Sequence, residues 1–477
     1  MKSIPGRMLL LFSMALISGH KSMGQSRDMG KPNIILLIAD DMGYADLQCY
    51  GGVSETPNIN MLAETGIVFS DFYAAASNCS PSRAGLLTGI SPSKLGMYSY
   101  RPPNHPMHLK DSDITIAEIL KEKGYRTGHF GKWHLGCLPQ DKNLNHPQPH
   151  DQGFDHSFGT ENNSVPSHHN PTNFVRNGKV LGPLEGYSCQ LVADEVIEWL
   201  SAKPKKEDPF FMYVAFHEPH AKVESPPSLV EKYNQYSKKD AEYLASVENV
   251  DLAVGRIYSY LKKHHLLENT LILFSSDNGS YRQASNGGLR AVKSYNYDGG
   301  IRVPGIINWP KLNRKGIKIS EAAGFVDIMP TLCEILNMPT NRNVDGSSIL
   351  GLLNGEGFER KKPLYWYFYR TTPEIAVRVD NFMILGKDND TVPRAHQFSA
   401  MDMTYIKEMG LKSYELYNLS EDSEERNNLF FQNANNGFYK NIVDKQLREI
   451  QESGYYWENL PEPQNIKKVK GEWVKYD

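Results

Sequence analysis

The 477-residue chain has only five cysteines, too few for a disulfide framework at this length. It also lacks an excess of charge of either sign. Lys+Arg number 52 against 55 Asp+Glu, a net −3, which leaves no global polycation for nucleic acid. Past residue 24 there is no apolar run long enough to cross a bilayer, so no stable membrane insertion is expected. Internal repeats and low-complexity tracts are absent. What remains, at 40% hydrophobic, 22% charged and 11% aromatic residues, is the composition of a globular protein larger than one compact core.

The first residues stand apart. Lys2 and Arg7 make a basic start, Met8 to Gly19 an apolar stretch, and Ser22-Met23-Gly24 a small-x-small site before Gln25. This reads as a secretory signal peptide over residues 1–24, too short to span a membrane. Losing Lys2, Arg7 and Lys21 with it takes the net charge from −3 to −6. The expected product is exported, periplasmic or secreted. In such a protein an odd cysteine count calls for a reason.

From Asn33 onward the pattern alternates. Asn33–Ala39, Phe210 to Phe216 and Leu271 to Ser276 are apolar runs of the kind buried on both faces of a parallel sheet, and Tyr125 to Phe130 reads as a further strand. Between them lie helical spacings: one capped at Asp113 and closed at Gly124, then Leu191 to Leu200, Leu244 to Leu261, and Phe325 to Leu336. Such alternation predicts a large mixed, mostly parallel sheet sandwiched by helices. Asp40/Asp41, His217 and Asp277/Asn278 each follow a predicted strand directly, so they converge where such sheets bind ligands. After about residue 350 the texture changes: strands at 364–368 and 375–385 and a helix at 439–451 suggest a smaller α+β domain over 356–477. The catalytic domain would then span 25–355.

Asp40, Asp41, Asp277 and Asn278 offer only oxygen donors, which suit Ca²⁺, or Mg²⁺ as the alternative, rather than zinc. Each pair could equally cap the element that follows it.

Cys79-Ser80-Pro81-Ser82-Arg83, trailed by Leu86-Leu87-Thr88-Gly89, resembles the sulfatase signature Cys-x-Pro-Ser-Arg at every defining position. Gly131-Lys132-Trp133-His134-Leu135-Gly136 is similar to that family's Gly-Lys-Trp-His box, and His217-Glu218-Pro219-His220 to the box of its second catalytic histidine. Gly288 to Lys293 and Asp298-Gly299-Gly300-Ile301-Arg302-Val303-Pro304 resemble its lysine and Gly-Gly-x-Arg-x-Pro segment, with Asp298 where Glu is more usual. Glu415-Leu416-Tyr417-Asn418-Leu419 resembles its C-terminal Glu-Leu-Tyr-Asp-Leu strand.

The resemblance implies an alkaline-phosphatase-like fold and a sulfuric ester hydrolase. It implies a maturation enzyme that oxidises Cys79 to formylglycine, and one Ca²⁺ held by Asp40, Asp41, Asp277, Asn278 and residue 79. Arg83, Lys132 and Lys293 would neutralise sulfate oxygens. One hydroxyl of the hydrated aldehyde would attack sulfur while His217, with Lys293, protonates the leaving alcohol; the other would lose its proton to His134 as sulfate departs.

A sulfated carbohydrate is the expected substrate, of the galactose or N-acetylhexosamine type. His168 or His169, in a polar loop, are candidate sugar contacts, followed by Arg101, His105 and His108, then Tyr369 and Arg370. Two alternatives stand beside this: a phosphate or phosphonate ester hydrolase of the same superfamily, and a non-catalytic sulfated-glycan-binding protein in which Cys79 stays a thiol.

Overall fold

The computed structural model describes residues 30–139, 143–202, 208–339, 344–369, 373–389, 398–458, 460, 466–469 and 472–475. The signal-peptide segment and Arg370 lie outside the described residues.

Asn33–Ala39 is buried at every position and runs through the middle of a ten-stranded sheet. Thr270–Ser276 and Phe210–Ala215 flank it, both parallel to it. Arg126–Lys132 and His156–Thr160 continue the parallel set beyond Phe210–Ala215. On the other side Gly305–Asn308 pairs antiparallel with Thr270–Ser276 and with Ile67–Phe69, and Ile317–Ile319 closes that edge. The sheet is therefore mixed and mostly parallel around its centre, as the apolar runs predict.

Because successive side chains on a strand point to opposite faces, one strand feeds two cores. Ile35 and Leu37 pack with Val192 and Val196 of helix Ser188–Ser201 and Val247, Val250 and Val254 of helix Lys238–Lys263. Ile34, Leu36 and Ile38 join a core that takes in Ala84, Leu86 and Leu87 of helix Cys79–Thr88. That same core holds Ile375, Val377 and Leu416 of a C-terminal antiparallel sheet. This sheet runs Leu364–Phe368, Glu374–Val379, Phe382–Lys387, Ser413–Asn418, with helix Asn436–Ser453 packed on it.

Two local expectations are corrected. The apolar run 375–385 is two strands, divided at Asp380, whose φ of 50° turns the chain. The helix after residue 113 starts at Ile116, and its cap is Thr115 in a reciprocal box with Glu118; Asp113 instead accepts from the Lys110 amide. The signature segment forms helix Cys79–Thr88, buried along its whole length.

Candidate active site

Four parallel strands deliver their carboxyl ends to one edge. Asn33–Ala39 leads into Asp40 and Asp41, Thr270–Ser276 into Asp277 and Asn278, Arg126–Lys132 into His134, and Phe210–Ala215 into His217 to His220. Main-chain bonds lock these ends together: Asp277 N donates to the Ala39 carbonyl at 3.0 Å, and Asp40 N to that of Glu218 at 3.1 Å. Gly131 lets Lys132 be delivered, since its φ is +99° and an added Cβ would stand 1.9 Å from the Ala215 carbonyl oxygen. Cys79 opens its helix over this edge.

The charged groups interlock. Lys132 Nζ is 2.6 Å from Asp40 Oδ2, Lys293 Nζ is 2.5 Å from Asp41 Oδ1, and Arg83 Nη2 is 2.6 Å from Asp277 Oδ2. Cys79 Sγ lies 3.5 Å from Asp40 Oδ1 and 3.9 Å from Asp41 Oδ1, with Lys293 Nζ at 3.1 Å. Asp40, Asp41, Cys79 and Lys132 are essentially inaccessible, whereas the Lys293 side chain keeps 16% exposure and that of His220 21%. These last two face the way in.

Burial pushes Asp40 up, but Lys132, His220, Arg83 and Lys293 outweigh it and hold its carboxyl well below the usual range. Asp277 goes the other way, to about 6, because burial and the neighbouring Asp40 charge exceed the pull of Arg83. Burial also pushes the Cys79 thiol up, against Lys132 and Lys293. A plain thiol here stays protonated and is a poor nucleophile.

The histidines divide by their hydrogen bonds. A carbonyl only accepts, so His134 Nε2 donates to that of Arg101 at 2.9 Å, and buried Nδ1 is left without a partner. Burial, then the Lys132 charge, hold His134 well below its usual range. Thr160 spends its hydroxyl proton on the Asn162 carbonyl, so His217 Nε2 donates to Thr160 Oγ1 at 2.8 Å. His217 is 1% exposed. His220 donates from Nδ1 to the Ala221 carbonyl and turns Nε2 to Asp41 Oδ2 at 3.5 Å. The imidazole beside the nucleophile and the opening is thus that of His220, which the sequence left as the last residue of its box. Spacing within His-Glu-Pro-His carried no signal for choosing between the two.

The other candidates separate too. His168 is buried near Glu218, Asp40 and Lys132, with Nδ1 unpartnered. His169 stacks on Tyr187 and bonds Glu224. Arg101 is fully buried, with its guanidinium held by protein groups, and Tyr369 is equally enclosed. His105 bonds the Phe398 carbonyl and His108 stacks on His146. Arg101, Tyr369 and His105 are interior groups, and His108 is half-buried.

Asp40, Asp41, Cys79 and His220 bring ligand atoms within 4.8 Å of one another, a grouping that could hold a metal ion. Asn278 Oδ1 is buried without a partner beside them, while its Nδ2 donates to Asp41 Oδ1 at 2.7 Å. Crowded carboxylates plus an orphaned carbonyl oxygen fit a hard cation. Among the described residues no helix is long and apolar enough to cross a membrane. None of the five cysteines forms a disulfide.

The sulfatase family model matches residues 32–338, and the model for the N-sulphoglucosamine sulphohydrolase C-terminal region matches 291–453. Arylsulfatase A of Homo sapiens is 34% identical over 441 residues, covering 83% of each chain. N-acetylgalactosamine-6-sulfatase of Homo sapiens is 32% identical over 378 residues, covering 72% of this chain and 70% of its own. A solved structure described as Ps i-CgsB in complex with k-i-k-neocarrahexaose superposes with a TM-score of 0.76 at 27% identity, over 90% of this chain and 96% of that one. With a family model covering well over half its length and relatives above 30% identity, this chain belongs to the sulfatase family and is a sulfuric ester hydrolase.

Proposed function

We propose that the chain is an exported sulfatase that removes sulfate from a carbohydrate monoester, with residue 79 matured to formylglycine and one Ca²⁺ bound at its side. The observation that carries this reading is the convergence of Cys79, Asp40, Asp41 and His220 within 4.8 Å, with Lys132 and Lys293 in contact with the same carboxylates. Asp40, Asp41, Asp277, Asn278 and residue 79 would hold the ion. When bound it supplies positive charge against the sulfate oxygens and polarises the nucleophile. The hydrated aldehyde supplies a hydroxyl nucleophile where the buried thiol supplies none.

The protein's own groups account for the rest. Lys132 and Lys293 bind the sulfate oxygens, and Arg83 fixes Asp277 from behind. His134 accepts a proton at Nδ1, because its Nε2 proton is committed to the Arg101 carbonyl. For the acid we assign His220 in place of His217. Its Nδ1 proton is committed to the Ala221 carbonyl, so the proton it would deliver as an acid is one carried at Nε2, beside Asp41 and toward the opening; burial opposes that protonation and the Asp41 and Asp40 charges favour it. His217, enclosed and bonded to Thr160, orients the pocket wall. Water is kept from the base of the site by the burial of every ionic group except Lys293 and His220.

A sugar substrate is supported by relatives named N-acetylgalactosamine-6-sulfatase and by a neighbour solved with a neocarrahexaose. His168 and His169 are proposed as sugar contacts. Export and the division into 25–355 and 356–477 belong to the same proposal. Two measurements test it. Mass spectrometry of the peptide from Ser77 to Arg83 should find an aldehyde at residue 79, and full activity with an unmodified thiol would overturn the reading. Turnover of an aryl sulfate should exceed that of the matching aryl phosphate; the reverse order would favour the phosphate-ester alternative.

A further inference from the structure

Arg101 sits in a stretch between Thr88 and Ile116 that contains no helix or strand, yet its main chain touches both halves of the catalytic apparatus. Its amide donates to Ser80 Oγ at 2.9 Å, next to Cys79, and its carbonyl accepts from His134 Nε2 at 2.9 Å. With no secondary structure to hold that carbonyl, the side chain does so. Nε donates to the Met107 carbonyl at 2.8 Å, Nη2 to the His105 carbonyl at 3.1 Å and to Cys137 Sγ at 2.8 Å, and Nη1 to Glu161 Oε1 at 2.5 Å. Glu161 closes the circuit: its carbonyl accepts from the His134 amide at 2.7 Å, and its second carboxylate oxygen from Leu138 N at 3.2 Å. His134 itself sits at φ 57°, a left-handed conformation its neighbours must impose.

We propose that the buried Arg101–Glu161 ion pair is a positioning device for His134, clamping its backbone through Glu161 and its ring through the Arg101 carbonyl. The carbonyl selects the tautomer protonated at Nε2 and leaves Nδ1 as the basic nitrogen, the part an acidic side chain plays behind a catalytic histidine elsewhere. Arg101 is thus a positioning residue and makes no contact with the sugar. The inference rests on the assignment of His134 as proton acceptor.

The test uses the full-length matured enzyme with 4-nitrophenyl sulfate, comparing wild type, Arg101→Lys, Glu161→Gln and His134→Ala. Either pair variant should lower kcat about ten- to hundred-fold, the loss expected when a catalytic group shifts by about 1 Å, with KM within about twofold. Nitrogen-15 spectra of histidine-labelled enzyme, with the His134 signals identified by their loss in His134→Ala, should show the Nε2–H tautomer in wild type and a tautomer mixture in the pair variants. Should Arg101→Lys fail to fold, Glu161→Gln, whose side chain is partly exposed, carries both measurements. A raised KM with unchanged kcat would return Arg101 to substrate binding and overturn the proposal. So would a lowered kcat with the His134 tautomer unaltered, the mark of a purely structural pair. If His134→Ala keeps full kcat while the tautomer still responds, the proton-acceptor reading fails and the positioning stands.

Discussion

His220 Nε2 stands 3.5 Å from Asp41 Oδ2, while His217, three residues earlier, spends its Nε2 proton on Thr160. A general acid matters most when the leaving alcohol has a high pKa. His220→Ala should therefore cost about 10²–10⁴-fold in kcat/KM on a sulfated sugar and far less on 4-nitrophenyl sulfate, whose leaving group needs little help. His217→Ala should show no such split. Steady-state kinetics of both variants on both substrates decide it, and a split seen only for His217→Ala would reverse the assignment.

Removal of the cation should be felt in stability as well as rate. Asp40, Asp41 and Asp277 crowd one another, and an ion bound only to the folded state stabilises it by mass action. Dialysis against a chelator is expected to lower both activity and the thermal midpoint, with recovery on adding Ca²⁺. Metal analysis giving stoichiometric zinc without calcium or magnesium would contradict the ion assignment.

Gly131→Ala should be disproportionately harmful for a single methyl group. Its Cβ would meet the Ala215 carbonyl oxygen at 1.9 Å in a left-handed backbone, just before Lys132. A loss on the order of 3 kcal/mol is expected, with weakened sulfate binding in whatever protein folds. Chemical denaturation and the KM of an aryl sulfate measure the two effects.

Glu374 makes a pH prediction. Burial pushes its carboxyl up to about 7, more than the Asn296 amide and the Lys387 charge pull it down. Between about pH 4.5 and 7 the folded state then holds a proton that the unfolded state has released. Stability accordingly falls as pH rises through this window, by on the order of 3 kcal/mol from this group, and levels off above it. Glu374→Gln mimics the protonated form, so its thermal midpoint should decline less than that of wild type between pH 5 and pH 8. Parallel declines would mean that Glu374 does not titrate there.

The strands of the site were legible because a strand buried on both faces is a continuous apolar run, and Asn33–Ala39 and Thr270–Ser276 each end in acidic residues that interrupt it. The signature helix escaped periodicity because all ten of its residues are buried, so it has no polar face to set a phase. Thr115 and Glu118 carried a readable capping box that Asp113 obscured. The choice between His217 and His220 depends on how the chain turns after Ala215, which side-chain chemistry alone does not encode. Arg101 reads as a candidate sugar contact from its place between the signature and the Lys-Trp-His box; its enclosure depends on partners distant in sequence, above all Glu161, sixty positions away.

Lys293 reaches the nucleophile from a segment stitched to the C-terminal sheet. Arg290 bonds Tyr417 Oη and the Glu425 carbonyl, the Asn296 amide bonds Glu374, and the Asp298 amide bonds Glu425. The two halves of the chain are consequently not interchangeable modules. A hybrid joining this catalytic sheet to a foreign C-terminal region would keep the carboxylates of Asp40, Asp41 and Asp277, yet its lysine would hang from unmatched partners. To keep that lysine in place, such a hybrid would have to carry residues 290–298 together with Glu374, Tyr417 and Glu425.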